Sequence, residues 1–98
     1  MLQKNAYEED ISILAAGTEL FAGAAMVYDI TVCLEANANA IVNFSDSMTS
    51  YDNTHRCNKV VIDGPDTIHL VFPKGLPVDH GLCATSNISS VDVRVSYI

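Results

Sequence analysis

The chain has 98 residues, of which 49% are hydrophobic, and its twelve acidic and five basic residues give a net charge of −7. This length accommodates one domain with a modest core, and the acidic balance argues against nucleic acid and anionic membranes as partners, because both attract patches of Lys and Arg. The hydrophobic fraction exceeds what so small a core needs, which predicts apolar surface that other chains cover.

The N-terminal residues are polar and acidic, with Leu2 and Tyr7 as their apolar anchors. They predict an arm at residues 1–9 that is disordered or lies on a neighbouring chain, followed by a single domain at 10–98. We expect no secretory signal, because acidic residues at 8–10 stand where its apolar core would be. The apolar run that follows is interrupted by glycines and a glutamate, so it is not predicted to span a membrane.

Alternation of apolar and polar residues predicts short strands through the rest of the chain. A first strand is expected at 11–16, and 19–25 is expected to be strand or irregular because a glycine inside it disfavours a helix. A long central strand is predicted at 26–35. An Asn-Ala-Asn turn then leads to 40–45, which is predicted to return as the hairpin partner of that strand. The apolar face of the central strand is expected to consist of Met26, Tyr28, Ile30, Val32 and Leu34.

The second half begins with a polar loop at 45–58, and loops of this length in compact domains tend to carry function. Short strands are predicted to follow it at 59–63, 67–73 and 80–85. The second of these should end at Pro73, because proline lacks the N–H group that a sheet ladder requires.

The last stretch, 91–97, alternates without interruption, with Val91, Val93, Val95 and Tyr97 on one face. Burying these side chains would contribute roughly 1.5–3 kcal/mol each before the entropy of ordering the chain is subtracted. The chain as a whole shows seven or eight short strands and no convincing helix. This pattern predicts an all-β fold, an antiparallel β-sandwich or jelly roll.

Two His/Cys pairs have the residue types of a tetrahedral zinc site, namely His55 with Cys57 and His80 with Cys83. Zinc ligands usually come in closer pairs beside turn glycines, and the apolar neighbours of Cys83 favour a place in the core. Asp52 adds an acid to His55 and Cys57, the residue types of an activated thiol nucleophile, yet a flexible loop does not preorganise them. The prediction is a protein without metal, cofactor or catalytic activity.

Residues 46–53 are dense in oxygen ligands, but they lack the spacing and the glycine of an EF-hand loop, so a solvated loop is favoured over a calcium site. The aromatic residues are few and dispersed, which gives little support to a sugar-binding platform. Three cysteines are an odd number, and without an export signal they predict reduced thiols.

Several segments occur in an order that is familiar from one group of proteins. They are the strands at 26–35 and 40–46, the Phe-Pro-Lys-Gly-Leu-Pro-Val turn at 72–78, the Gly-Leu-Cys-Ala-Thr strand at 81–85 and the closing Val-Asp-Val-Arg-Val-Ser-Tyr strand at 91–97. In this arrangement the chain resembles the small β-sandwich or jelly-roll virion proteins of tailed bacteriophages.

The resemblance implies a capsid decoration (cement) protein that binds the lattice of the major capsid protein and stabilises the phage head. It implies a homotrimer on the capsid surface of the virion, assembled in the host cytoplasm, in which the arm at 1–9 and the loop at 45–58 contact partners. Two alternatives stay open. One is a phage fibre, tail or host-surface glycan-binding module, and the other is a non-viral binding module or a small metal-dependent or thiol enzyme.

Overall fold

The computed structural model describes residues 3–11 and 17–98, and within them eight strands form two antiparallel sheets of four strands each. The sheets enclose one hydrophobic core, so the predicted β-sandwich is confirmed. A single turn of 3₁₀-helix, Asn53–His55, accompanies the strands in the described part of the chain. The strands are β1 (Lys4–Glu8), β2 (Thr18–Ala22), β3 (Ala25–Leu34), β4 (Asn39–Ser45), β5 (Arg56–Asp63), β6 (Asp66–Val78), β7 (Gly81–Ser86) and β8 (Val91–Tyr97).

Sheet A has the strand order β1-β8-β3-β6, and sheet B has the order β2-β7-β4-β5. Successive strands alternate between the sheets except at β4 and β5, and this order is that of an eight-stranded jelly roll. The prediction that residues 40–45 return as the hairpin partner of 26–35 is wrong, because β3 lies in sheet A and β4 in sheet B. β3 and β4 each have one apolar face, and two strands of this kind can bury those faces equally well as a hairpin in one sheet or across the core in two sheets.

The terminal strand supplies the centre of sheet A and packs as predicted. Val91, Val93 and Val95 are fully buried. Tyr97 is half-buried and stacks on Phe21, with ring centroids 3.9 Å apart and ring planes 11° apart. Because Phe21 belongs to sheet B and Tyr97 to sheet A, this pair of rings links the two layers of the sandwich.

Strand β3 contains a bulge that the periodicity does not reveal. Its pairing with both neighbours shifts register between Val27 and Asp29. An extra residue reverses the faces of the strand on either side of it, so Val27 is fully buried together with Ile30. Met26 and Tyr28 are only half-buried, and the prediction that they share the inward face of Ile30 is wrong.

The N-terminal segment is part of the sandwich. β1 pairs with β8 along its five residues, so the prediction of an arm at 1–9, outside a domain at 10–98, is wrong for Lys4–Glu8. Most side chains of β1 are exposed, as is usual for an edge strand, and its polar sequence therefore gives little alternation. Backbone pairing and the contact of Ala6 with the core hold the strand in place.

Two further boundaries differ from the predicted ones. β6 continues through Pro73 to Val78, because it is an edge strand, where a missing N–H group is tolerated. β5 begins at Arg56, which shortens the polar loop. The strand predicted at 11–16 lies almost entirely outside the described residues. Within 3–11 and 17–98, no helix has the length and apolar character needed to cross a membrane.

Candidate functional site

A cleft of about 240 Å³ lies where the loop between β4 and β5 meets the turn between β6 and β7. The loop, residues 46–55, is called the cleft loop below, and Asp79 and His80 form the turn. The cleft therefore borders most of the polar segment that the sequence predicts to be functional. Its lining consists of Asp46, Ser47, Met48, Asp52, His55 and His80.

Asp46 fastens the cleft loop to the turn. Its Oδ1 accepts hydrogen bonds from the backbone N–H groups of Asp79 at 3.0 Å and His80 at 2.8 Å, and its Oδ2 lies 2.9 Å from the Asp79 nitrogen. Partial burial alone would raise the pKa of this carboxyl, but the backbone amides and the nearby His80 ring outweigh it and hold the pKa below its ordinary value. Asp46 is therefore an ionised acceptor at neutral pH.

Three serines order the first half of the cleft loop. The hydroxyl of Ser47 donates to the carbonyl of Ser50 at 2.7 Å and lies 2.6 Å from the hydroxyl of Ser45. Because Ser47 uses its proton on Ser50, Ser45 donates to Ser47. Ser45 Oγ also accepts from the backbone N–H of Asp52 at 3.1 Å. Ser45 is fully buried, so this network anchors a loop that its polar sequence would suggest is loose.

Asp52 organises the second half of the cleft loop. Its Oδ1 accepts from the backbone N–H of Thr54 at 3.0 Å and from the Thr54 hydroxyl at 2.7 Å, and its Oδ2 lies 2.8 Å from Nδ1 of His55. The Thr54 hydroxyl, the His55 ring and the Thr54 amide lower the pKa of Asp52 to about 2. An ionised carboxylate only accepts, so a neutral His55 carries its proton on Nδ1 and keeps a lone pair on Nε2.

His80 faces His55 across the cleft. Their ring centroids are 6.5 Å apart and their planes make an angle of 61°. Nδ1 of His80 lies 3.7 Å from Oδ1 of Asp46. The side chains of His55 and His80 are 59% and 61% exposed. Two carboxylate–imidazole pairs thus border the same cleft, with both rings open to solvent.

The four residues of the predicted zinc alternative do not converge. The Cys57 thiol packs against the core and donates to the carbonyl of Phe44 at 3.7 Å, and the buried Cys83 thiol donates to the carbonyl of Ser47 at 3.4 Å. Burial raises the pKa of both thiols. This disfavours the thiolate that a zinc ligand or a nucleophile requires. The two histidines reach the cleft without the two cysteines.

The acid and base of the thiol-enzyme alternative are joined, since Asp52 contacts His55. Their proposed nucleophile Cys57 instead bonds the carbonyl of Phe44. The oxygen-rich stretch of the calcium alternative directs its carboxylates to amide, hydroxyl and imidazole groups of its own chain. Among the residues that the structure describes, no group of three or more His, Cys, Asp and Glu side chains is placed to hold a metal ion.

Asp46 is the residue of this site that the sequence does not single out for its structural role. Its amide partners Asp79 and His80 lie 33 and 34 positions further along the chain. The available signal is its place directly after the β4 strand, where a polar loop begins. That signal marks a loop residue, but it gives no indication of the turn that the carboxylate holds.

A second depression, of about 290 Å³, lies on the outer face of sheet A. Tyr7 from β1 is half-exposed there, and the guanidinium carbon of Arg94 lies 5.6 Å from the centre of its ring. Thr31, the cross-strand neighbour of Arg94, and Asp92 line the same depression. An aromatic face, a cation, a carboxylate and a hydroxyl are thus collected on one polar surface.

Three aliphatic side chains are exposed on β4, β5 and β6. Val61 in β5 and Val71 in β6 are each 63% exposed, and Ile41, the cross-strand partner of Val61, is 38% exposed. β5 and β6 are the edge strands of the two sheets, and they contact each other. Ile41 and Val61 project from the outer face of sheet B and Val71 projects from that of sheet A, because the residues next to them in β5 and β6 pack against the core. These three residues together are called the β5–β6 side below.

No protein-family model matches the sequence, and no curated protein matches it. The functional proposal therefore rests on the sequence resemblance, the fold and the two surfaces described above.

Proposed function

We propose that the chain is a structural virion protein, a capsid decoration protein that self-associates and binds the major capsid protein lattice. The observation that carries the proposal is the exposure of aliphatic side chains on the edge strands of both sheets, where Val61 in β5 and Val71 in β6 are each 63% exposed. Aliphatic side chains that protrude from strands of a rigid sandwich lose contact with water when a second surface covers them, and each buried methylene contributes about 0.8 kcal/mol.

The edge strands of the β5–β6 side favour association through side chains rather than through an added strand. β6 has 13 residues and, among the strands that the structure describes, stands at the edge of sheet A next to β3. Pro73 and Pro77 lie within it, and proline removes donors that a further strand would need. A closed homotrimer built on the aliphatic side chains is therefore more consistent with this edge than an open-ended strand stack.

The fold is compatible with this role. Eight-stranded jelly rolls occur in viral capsid proteins and in lectins, although a fold alone does not define a function. The sandwich extends 38 × 25 × 18 Å, and the cleft loop is ordered by hydrogen bonds of Ser45, Asp46 and Asp52. A small, stiff block of this kind binds a lattice without a large loss of conformational entropy.

Self-association is tested by light scattering coupled to size exclusion. We expect a mass of three chains for the wild type and a shift to one chain for the double variant Val61→Asp, Val71→Asp. Met48→Asp is the matched control, because Met48 is 54% exposed but lies in the cleft loop. A single-chain mass for the wild type at all concentrations, or equal masses for all three proteins, would contradict the self-association.

Capsid binding is tested by co-sedimentation with heads of the phage that encodes the chain, prepared without it. The wild type should sediment with the heads at a saturating, fixed ratio to the major capsid protein. The Val61→Asp, Val71→Asp variant should sediment less, because a monomer loses the avidity of three joined contacts. Wild-type protein that stays in the supernatant would exclude a decoration role.

A second candidate, a host-surface glycan-binding module, is favoured by the depression on the outer face of sheet A. Tyr7 offers a ring for stacking, while Thr31, Asp92 and Arg94 offer hydrogen-bonding groups around it. Saturation-transfer NMR with host-surface oligosaccharides tests this function. Binding that is lost in Tyr7→Ala and kept in Val71→Asp would favour it, and no saturation transfer would contradict it.

A further inference from the structure

We propose that His55 and His80 together bind one divalent transition-metal ion, of the Zn²⁺ or Ni²⁺ class, between the cleft loop and the turn at Asp79 and His80. This goes beyond capsid binding and does not depend on it. The two imidazoles face each other across the cleft with ring centroids 6.5 Å apart, and both are open to solvent. Neutral imidazole is a preferred ligand for these ions.

His55 is held in the tautomer that metal binding requires, with its proton on Nδ1 and its lone pair on Nε2. Its Nδ1 donates to Asp52 at 2.8 Å, so Nε2 holds the free lone pair. A carboxylate behind the imidazole fixes the tautomer and increases the basicity of the ligating nitrogen. Asp46 lies near His80 without a hydrogen bond to the ring, with Oδ1 3.7 Å from Nδ1, and backbone amides of the turn fix its position.

The spacing of the rings is close to that of a bound state. An ion 2.0–2.1 Å from each Nε2, with a tetrahedral angle between them, places the ring centroids about 5 Å apart. The two rings, with centroids 6.5 Å apart, therefore have to approach each other for both to reach one ion. The carboxyl groups of Asp52 and Asp46 lie 2.8 Å and 3.7 Å from the nearest nitrogens of the two rings. Water occupies the other coordination positions, so the site needs no third protein ligand.

Such an ion would stabilise the fold by mass action, since it binds the native arrangement of residues that are 25 positions apart in sequence. Acidification should release it, because a protonated imidazole has no lone pair for the metal. These two properties are expected of a single ion that both histidines bind, which we call the clamp below. They are not expected of a general attraction of cations to an acidic protein.

The test is calorimetric titration of the full, reduced chain with Zn²⁺ and, separately, with Ni²⁺. We expect one ion per chain, and a loss of affinity of roughly tenfold or more in His55→Gln and in His80→Gln. His69→Gln is the matched control. His69 is the remaining histidine of the chain. Its side chain is 57% exposed and its Nε2 lies 3.8 Å from Oδ1 of Asp29, but it belongs to sheet A, away from the cleft. A second control, Cys33→Ser, removes the partly exposed thiol of sheet A.

Unchanged affinity in both controls supports the clamp, provided that both cleft variants lose affinity. No saturable binding, equal binding by His55→Gln and wild type, or a loss in either control would overturn it. A ratio of one ion to two chains would overturn the arrangement within a single chain. Circular dichroism should give the same spectrum for all variants, because the substituted side chains are exposed. Thermal unfolding with and without chelator then gives an independent reading, with a metal-dependent rise in Tm confined to proteins that retain both cleft histidines.

Discussion

The carboxylate of Asp46 accepts a hydrogen bond of 2.8 Å from the backbone N–H of His80, a residue 34 positions later in the chain. The same carboxylate accepts from the N–H of Asp79, so one side chain satisfies two backbone donors of the turn between β6 and β7. The turn and the cleft loop therefore form one unit, and both imidazoles of the cleft depend on it for their positions.

Removal of the Asp46 side chain should destabilise the protein. Asp46→Ala leaves the amides of Asp79 and His80 without their acceptor, which costs about 1.5–3 kcal/mol for hydrogen bonds to a charged group. Asp46→Asn keeps one oxygen and should cost less. Urea denaturation measures the difference, with Asp63→Asn, an exposed carboxyl of β5, as the control. Equal stability of Asp46→Ala and Asp63→Asn would contradict the anchoring role.

Stability should fall at acid pH because of two carboxyls in the cleft. Hydrogen bonds lower the pKa of Asp52 to about 2, and amide donors lower that of Asp46 against its partial burial. A carboxyl with a depressed native pKa stabilises the fold fully above its unfolded value, near 3.8, and loses that contribution as the pH falls through the native value.

The free energy of unfolding should accordingly decrease from about pH 5 towards pH 2. Asp52→Asn should flatten this decrease, because one of the two linked protonations is removed. Chemical denaturation at a series of pH values checks the slope. An Asp52→Asn protein with the same slope as the wild type would show that this carboxyl is not linked to folding.

Substitution of two glycines with positive φ allows the cost of backbone strain to be compared with the cost of a steric clash. Gly81 has φ +142°, and a Cβ there would lie 2.6 Å from the carbonyl oxygen of Phe21 and 3.0 Å from that of Ser47. Gly23 has φ +98° and open space around the same position. Gly81→Ala should therefore destabilise by more than Gly23→Ala, whose cost is limited to strain of about 1–3 kcal/mol. Thermal unfolding of the two variants measures this, and equal losses would contradict the close packing at Gly81.

Periodicity predicts what a strand buries but not what it pairs with. The uninterrupted alternation of residues 91–97 correctly places Val91, Val93 and Val95 in the core. The same rule fails at Met26 and Tyr28, because the bulge before Asp29 inserts one residue and reverses the faces. It also cannot distinguish a hairpin from packing across a sandwich, so it predicts one hairpin for β3 and β4, which lie in different sheets.

The sequence predicts the polar loop that borders the site, but it does not predict the cleft that the loop forms with the β6–β7 turn. Length and polarity predict a functional loop at 45–58, and the contact of Asp52 with His55 is local enough to follow from spacing. The approach of His80 and the anchoring by Asp46 depend on tertiary packing of the β6–β7 turn. Sequence proximity pairs each cysteine with a histidine, but the Cys57 and Cys83 thiols are directed to the backbone carbonyls of Phe44 and Ser47.

Deletion of residues 1–8 should destabilise the sandwich, because β1 covers the edge of β8. The deletion removes the five paired residues of β1 and uncovers Val93 and Val95, whose cross-strand neighbours are Glu8 and Ala6. Loss of several backbone hydrogen bonds, at about 0.5–1.5 kcal/mol each, should lower the free energy of unfolding by a few kcal/mol. The control is deletion of residues 1–3, which leaves β1 whole and should change stability little. If both truncated proteins unfold at the same denaturant concentration as the full chain, β1 contributes nothing to the fold and the segment acts as a free arm.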